Sequence, residues 1–162
     1  MIRLIQTPAE VVTDRKRAAF ALAVPAHLLK GRSIIELPGP KAAVRIQQAQ
    51  PSFYVQSTAG LGTKLELVQL KVVKESRVVE KVEVSRAGTE KASNVPAAVE
   101  LQRKQLTPGL YSLKLLHPLD PGEYALGDLA QQGLNIELWP FGLFEIPTRQ
   151  EKRRPPRDSE QE

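Results

Sequence analysis

Apolar and polar residues alternate in many short segments of this chain, and proline or glycine separates most segments from the next. Alternation with a period of two is typical of strands that are buried on one face. Seven valines lie between positions 68 and 84. Valine is stiff in helices and packs well on a pleated surface. We therefore predict that the chain is mainly β from residue 33 onward.

Nine segments have this strand pattern. Seven or more short strands that recur at spacings of about 8–12 residues are typical of sandwiches with Greek-key connections. A parallel α/β sheet would need helical crossovers, which this region lacks. We predict an antiparallel β-sandwich with Greek-key connections over residues 33–147. Its strands are expected at residues 33–37, 42–47, 52–58, 64–74, 77–86, 98–105, 110–116, 123–126 and 134–141.

The longest predicted element is a hairpin formed by residues 64–74 and 77–86, with its turn at Glu75 and Ser76. In its second arm Val78, Val82 and Val84 fall on one face, and Arg77, Lys81 and Glu83 fall on the other. In the first arm the alternation slips between Leu67 and Val68. This slip indicates either a bulge or a strand that is buried on both faces.

Residues 1–32 are predicted to be an N-terminal extension made of a strand over residues 1–6 and a short helix. Thr7-Pro8-Ala9-Glu10 is typical of a helix start, because Thr can cap free amides and Pro suits the first helical position. The alanine-rich stretch could extend the helix until Pro25. A strand over residues 20–24 is the alternative. Residues 15–24 also imitate a signal peptide, but a buried structural segment is the favoured interpretation.

Two Pro-Gly turns each precede a strand that contains a tyrosine, Tyr111 in one case and Tyr124 in the other. Proline fixes φ at the first turn position, and glycine supplies the positive φ that follows. We predict that both tyrosines are corner residues, with the ring in the core and the hydroxyl bonded to backbone near the turn. The aromatic residues expected to fill the core are Phe53, Tyr54, Tyr111, Tyr124, Trp139 and Phe141.

The 162 residues have a formal net charge of +5, and basic residues are concentrated near the C-terminus. Residues 148–162 are charged, rich in proline and without aromatic residues, so we predict a disordered tail. A basic tail can neutralise phosphates, which makes it the candidate contact for nucleic acid or another polyanion. The candidate residues are Lys152, Arg153, Arg154 and Arg157.

A second candidate polyanion contact is the hairpin. Its basic residues are Lys71, Lys74, Arg77, Lys81 and Arg86. Glutamates interrupt this face, and charged edge strands discourage aggregation. A solvated, edge-protecting face is therefore the favoured interpretation of the hairpin charges.

Residue types that support catalysis are scarce. Cysteine is absent, which excludes disulfides, thiolate metal sites and thiol nucleophiles. The two histidines, His27 and His117, lie in different segments, and residues 117–123 match no standard ligand spacing. No Gly-x-Ser-x-Gly elbow or phosphate-binding glycine loop is present. We expect no catalytic, cofactor-binding or metal site, and we expect that the protein is not an enzyme.

Four segments carry a family resemblance, at residues 42–46, 51–55, 121–126 and 139–142. Over residues 37–143 the chain resembles a group of uncharacterised bacterial β-sandwich proteins, although Pro140 replaces the aspartate of their Trp-Asp-Phe-Gly segment. The Pro-Gly-Glu-Tyr unit is also similar to that of transthyretin-like and carboxypeptidase regulatory-like modules. The resemblance implies an immunoglobulin-like accessory or binding module in the bacterial cell envelope or periplasm, with the cytoplasm as the alternative. It supplies no catalytic residues.

The sequence thus favours a non-catalytic structural or protein-interaction module. Binding of nucleic acid or another polyanion through the tail and hairpin is the alternative. A protein partner is expected, and a homodimer joined along the hairpin edge is a further expectation. No run of about 18 apolar residues occurs, so we predict no membrane span.

Overall fold

The computed structural model describes residues 1–13, 15–23, 32–57, 61–85, 91–94, 98–130 and 134–144. This part of the chain is mainly β, and its strands pair antiparallel except at one short contact. The predictions of a mainly antiparallel β protein and of a short N-terminal helix are confirmed. The elements are β1 Thr7–Val12, α1 Arg15–Leu22, β2 Arg32–Pro38, β3 Arg45–Ile46, β4 Ser52–Gln56, α2 Leu61–Lys64, β5 Glu66–Val73, β6 Ser76–Ser85, β7 Lys91–Asn94, β8 Ala98–Val99, β9 Leu101–Thr107, β10 Leu110–Leu115, β11 Gly122–Gly127 and β12 Asn135–Leu143.

Six strands close into a barrel. The antiparallel pairing runs in the order β6, β2, β1, β12, β11 and β5, and β5 pairs with β6 to complete the ring. Each wall strand therefore has a hydrogen-bonded neighbour on both sides, which removes the edges of an open sheet. The predicted Greek-key sandwich is not confirmed, because the larger sheet closes on itself. Barrels and sandwiches share the same alternation along each strand, so the sequence pattern does not separate them.

β1 lies where the sequence predicts a helix start. It pairs with β2 on one side and β12 on the other, and Ala9 and Val11 are buried in the barrel interior. The helix begins at Arg15 instead, and residues 1–6 are not in a strand. Tertiary pairing overrides the local capping signal here. The predicted N-terminal extension therefore contributes one strand to the barrel wall.

The barrel interior is filled by apolar side chains from all six wall strands. Leu67 and Val68 are both fully buried, although neighbouring strand residues point to opposite faces. Val68 packs inside the barrel, and Leu67 packs on its outer side. Of the two interpretations of the slip at this point, the strand buried on both faces is confirmed.

A second sheet, which we call the open sheet, consists of β4, β10 and β9 in that order. Its inner face packs against the outer face of β5, β11 and β12. Phe141 is at the centre of this contact, with ring centroids 5.4 Å from Phe53 and 5.7 Å from Tyr124. The structure therefore has two facing layers on this side of the barrel.

α1 covers the barrel wall formed by β1, β2 and β6. Ala18 and Ala21 are buried there against Ile34 and Val78. Ala18 and Ala21 thus attach α1 to the barrel wall, whereas Phe20 of the same helix is exposed.

The β5–β6 hairpin forms as predicted, but its turn is at Lys74 and Glu75, where Lys74 has a φ of 52°. β6 pairs with β2 along one side and with β5 and β7 along the other. β5 likewise pairs with β11 on one side and with β6 and β8 on the other. The predicted hairpin-edge homodimer would have to form on edges that this chain already uses for its own pairing.

Tyr124 is a corner residue, as predicted. Its ring is buried, and its hydroxyl donates a hydrogen bond of 2.7 Å to the carbonyl oxygen of Asp120. Burial raises the pKa of the Tyr124 hydroxyl, and the Asp120 charge adds to the shift. Gly109 has the predicted positive φ of 79°, but Gly122 does not and instead begins β11. The two Pro-Gly segments therefore have different backbone conformations.

Replacing Tyr124 with Phe keeps the buried ring and removes the bond to Asp120. We expect the free energy of unfolding to fall by about 1 kcal/mol. Tyr54→Phe is the matched control, because Tyr54 is 61% exposed and should change stability by less than about 0.5 kcal/mol. Urea denaturation of both variants measures the difference, and equal midpoints would contradict the corner role.

Candidate functional site

The predicted tail contact residues Lys152, Arg153, Arg154 and Arg157 lie outside the described residues. The tail contact therefore stays a prediction. His27 and Arg86 also lie outside this part of the chain.

The hairpin does not present the basic face that the sequence suggests. Arg77 and Lys81 are buried, because the odd-numbered face of β6 points into the barrel. Lys71 donates a hydrogen bond of 3.4 Å to the carbonyl oxygen of Ala21 in α1. Lys74 lies 4.8 Å from the ring centroid of Phe20, also in α1. The hairpin cations that remain exposed thus contact the helix, and the predicted polyanion contact on the hairpin is wrong for Arg77 and Lys81.

The carboxylate and imidazole groups of residues 117–123 do not converge. His117 is exposed, whereas Glu123 is buried and contacts two arginines. Among the residues that the structure describes, no group of three or more His, Cys, Asp or Glu side chains is arranged to hold a metal ion.

Glu123 is the centre of a buried charge cluster at one end of the barrel. One of its carboxylate oxygens accepts a hydrogen bond from Arg45. The other accepts a bond of 2.8 Å from the backbone N–H of Ala42 and lies 3.7 Å from Arg77 Nη1. Arg77 also donates bonds of 2.9 Å to the carbonyl oxygens of Pro38 and Gly39. Burial lowers the pKa of Arg77, and the Glu123 carboxylate offsets part of that shift.

This cluster fixes the loop between β2 and β3 over the barrel end. A Cβ on residue 142 would overlap the Arg45 guanidinium, so a larger residue there would displace Arg45 from Glu123. The charged groups bind backbone and one another, and Glu123 and Arg77 are almost fully buried. Their arrangement is that of a structural cluster that holds the loop.

The outer face of the open sheet has different properties. Its three strands contain Arg103, Lys104 and Lys114 and no aspartate or glutamate. Lys104 and Lys114 form no ion pair with any carboxylate in the described ranges. Arg103 is engaged elsewhere, donating a bond of 2.7 Å to the carbonyl oxygen of Leu65. The outer face therefore has positive charge without compensation.

A shallow depression of about 310 Å³ lies on this face. The register places Ser112 of β10 between Tyr54 of β4 and Lys104 of β9, and Lys114 is two residues further along β10. Tyr54 is 61% exposed and Leu106 is 44% exposed. The residues that line the depression are Tyr54, Gln102, Lys104, Leu106, Ser112 and Lys114.

Ser112 is at the floor of the depression. The residue is only 3% exposed, and its hydroxyl has no hydrogen-bond partner among the described residues. A buried hydroxyl without a partner destabilises the folded state by about 1–3 kcal/mol. The hydroxyl can donate to a water molecule or a ligand that occupies the depression.

The two outer strands of the open sheet each pair only with β10 in the described part of the chain. β9 is exposed from Gln102 to Thr107. The face of the sheet thus continues into a strand edge whose backbone groups can pair with another chain.

Sequence reasoning missed this surface because it assigned Tyr54 to the core together with Phe53. Adjacent residues of a strand point to opposite faces, so only one of the two can pack against the barrel. Phe53 is 8% exposed and packs inward, which leaves Tyr54 outward. The absence of acidic residues could not be read from the sequence, because the predicted strand over residues 98–105 includes Glu100, whereas β9 begins at Leu101.

Replacing Glu123 with Gln should lower the free energy of unfolding by about 3 kcal/mol, because the buried Arg77 would lose its counter-charge. The double variant Arg77→Met with Glu123→Leu removes both buried charges and should recover part of this loss. Urea denaturation measures both. A Glu123→Gln variant as stable as the parent would show that the cluster does not hold the barrel end.

Replacing Ser112 with Ala should leave the free energy of unfolding unchanged or raise it by up to about 1 kcal/mol, since the hydroxyl has no partner to lose. Ser76→Ala is the matched control: the Ser76 hydroxyl donates to Glu36, and its removal should lower stability by about 1 kcal/mol. Thermal or urea unfolding compares them. Equal losses in the two variants would mean that Ser112 has a partner within the folded chain.

No protein-family model, curated protein or solved structure matches this chain. The resemblance to bacterial β-sandwich proteins therefore stays a prediction. Neither helix in the described residues is long and apolar enough to span a membrane.

Proposed function

We propose that the protein is a non-catalytic interaction module. In this proposal the barrel is a rigid scaffold, and the outer face and edge of the open sheet bind a protein partner. The two facing layers formed by the open sheet and the barrel wall are the part of the fold nearest to the predicted sandwich. A binding role agrees with the accessory modules that the sequence resembles, and an envelope location remains part of the same proposal.

The main support is the contrast between the two sheets. Every wall strand of the barrel is paired on both sides, whereas the open sheet has a free edge along β9 in the described part of the chain. Exposed Leu106 lies on β9 itself, and exposed Tyr54 lies on the same face of the sheet two strands away, on β4. Tyrosine is enriched at protein interfaces because its ring contributes large contact area and its hydroxyl stays solvated. The combination of a free edge and a mixed apolar and basic face is suited to binding an extended segment of another protein.

The test is capture of a partner by tagged full-length protein and by two matched double variants. Tyr54→Ala with Leu106→Ala removes the exposed apolar groups of the open sheet. Phe20→Ala with Leu134→Ala removes from other surfaces an aromatic residue of similar exposure to Tyr54, 63% against 61%, and a leucine that is more exposed than Leu106, 69% against 44%. All three proteins should show the same thermal unfolding midpoint, because the replaced side chains are exposed.

We expect the parent and the control variant to retain the same partner, and the open-sheet variant to retain at least tenfold less of it. Truncating a central aromatic residue of an interface costs about 2 kcal/mol or more, which corresponds to more than tenfold in affinity. Equal retention by the two double variants would remove the open sheet as the binding surface.

The alternative is binding of nucleic acid or another polyanion through the basic tail. Its support is the group of four cations at Lys152, Arg153, Arg154 and Arg157. Deleting residues 149–162 and titrating binding against salt separates the two functions. Affinity that falls steeply with salt and disappears with the tail would favour the polyanion function.

A further inference from the structure

We infer that the open sheet selects an acidic segment of its protein partner. The segment would pair with β9 as an added strand and place an oxyanion, a carboxylate or a phosphate, between Lys104 and Lys114 above Ser112. This inference rests on the proposed function, since it requires that the open sheet be the binding surface. It adds the chemistry that the surface recognises.

The first support is charge. Lys104 and Lys114 line the same depression, and neither has a carboxylate partner in the described residues. All three strands of the open sheet lack acidic residues. Two like charges held near each other without compensation favour an anion between them.

The second support is the hydroxyl of Ser112. Ser112 is a register partner of Lys104 and is two residues from Lys114 on the same face of β10. Its hydroxyl is buried, lines the depression and has no bond to the described protein groups. An oxyanion seated there would accept one bond from this hydroxyl and two charge-assisted bonds from the lysines. Three donors on two neighbouring strands thus face one position.

The third support is the edge of β9, whose charges argue against a second copy of this chain. Antiparallel pairing of two β9 strands across a two-fold axis would bring Arg103 and Lys104 of one copy close to those of the other. Like charges opposite each other on paired strands are destabilising. An acidic segment has the opposite charge and gains from the same pairing.

Nucleic acid fits this surface less well than a peptide does. Tyr54 is the one aromatic ring that the three strands place in the depression. Single-stranded nucleic acids stack successive bases on several rings, and they have no backbone amides to pair with a strand edge. A peptide uses both the edge and the face.

The probes are four ligands with the same fluorescein label, each titrated with full-length protein by fluorescence anisotropy at low salt. The first is a nine-residue peptide in which Glu and Val alternate, so that all carboxylates lie on one face of an added strand. The second has phosphoserine in place of Glu, and the third has Gln in place of Glu. The fourth is a nine-nucleotide thymidine oligonucleotide.

We expect the Glu and phosphoserine peptides to bind at least tenfold more tightly than the Gln peptide, with affinity that falls as salt rises. The ratio of the affinities for the Glu and phosphoserine peptides identifies the oxyanion as a carboxylate or a phosphate, because a phosphate carries more charge and more acceptor oxygens. Equal binding of the Glu and Gln peptides would overturn the inference. An oligonucleotide that binds more tightly than both acidic peptides would overturn it in favour of nucleic acid.

Three variants assign the binding to the open sheet. Lys104→Glu with Lys114→Glu should lower the affinity for the acidic peptides at least tenfold. Lys16→Glu with Lys41→Glu is the matched control, because it makes the same charge change at exposed lysines outside the open sheet and retains the C-terminal residues. It should change affinity by less than threefold. Ser112→Ala should weaken binding threefold or more without loss of thermal stability.

Equal weakening by the two lysine pairs would assign the binding to net charge and overturn the inference. The proposed function and this inference are tested by different results. In one outcome, partner capture depends on Tyr54 and Leu106 while the Glu and Gln peptides bind equally. That outcome would support the interaction module and rule out only the acidic segment. If partner capture does not depend on Tyr54 and Leu106, and the acidic peptides do not bind, both the interaction module and the acidic segment are ruled out.

Discussion

The constraint on which the structure depends is the wall formed by β5, β11 and β12, which has apolar side chains on both faces. Leu67 and Val68 show this most clearly, since both are fully buried on opposite sides of one strand. Burying both sides requires two separate cores, one inside the barrel and one beneath the open sheet. Phe141 and Tyr124 fill the second core, and without the open sheet they would be exposed to water.

The same constraint explains why the open sheet differs from the barrel. Its inner face packs in the shared core. In the described part of the chain, no other strand pairs with the edge of β9, and the outer face of the open sheet is not part of a core cluster. These are the positions where Tyr54, Lys104 and Lys114 occur. A scaffold that is stabilised elsewhere can keep exposed rings and uncompensated charges for binding.

Two buried polar side chains differ in their hydrogen bonding. Glu123 is bonded to an arginine and a backbone amide, and it fixes the β2–β3 loop. Ser112 is just as buried and has no bond to the described protein groups. The first pattern is that of structural stabilisation, whereas the second leaves a donor that can bond to a molecule in the depression.

The sequence by itself determined the strand-rich composition, most strand positions, the β5–β6 hairpin and the corner role of Tyr124, because alternation and turn residues act locally. Only the tertiary structure decided that the sheet closes into a barrel, that Arg77 points inward and that Tyr54 points outward. A period of two defines two faces of a strand but does not say which face meets a core. That choice depends on which strands become neighbours, and neighbours such as β1 and β12 are far apart in the chain.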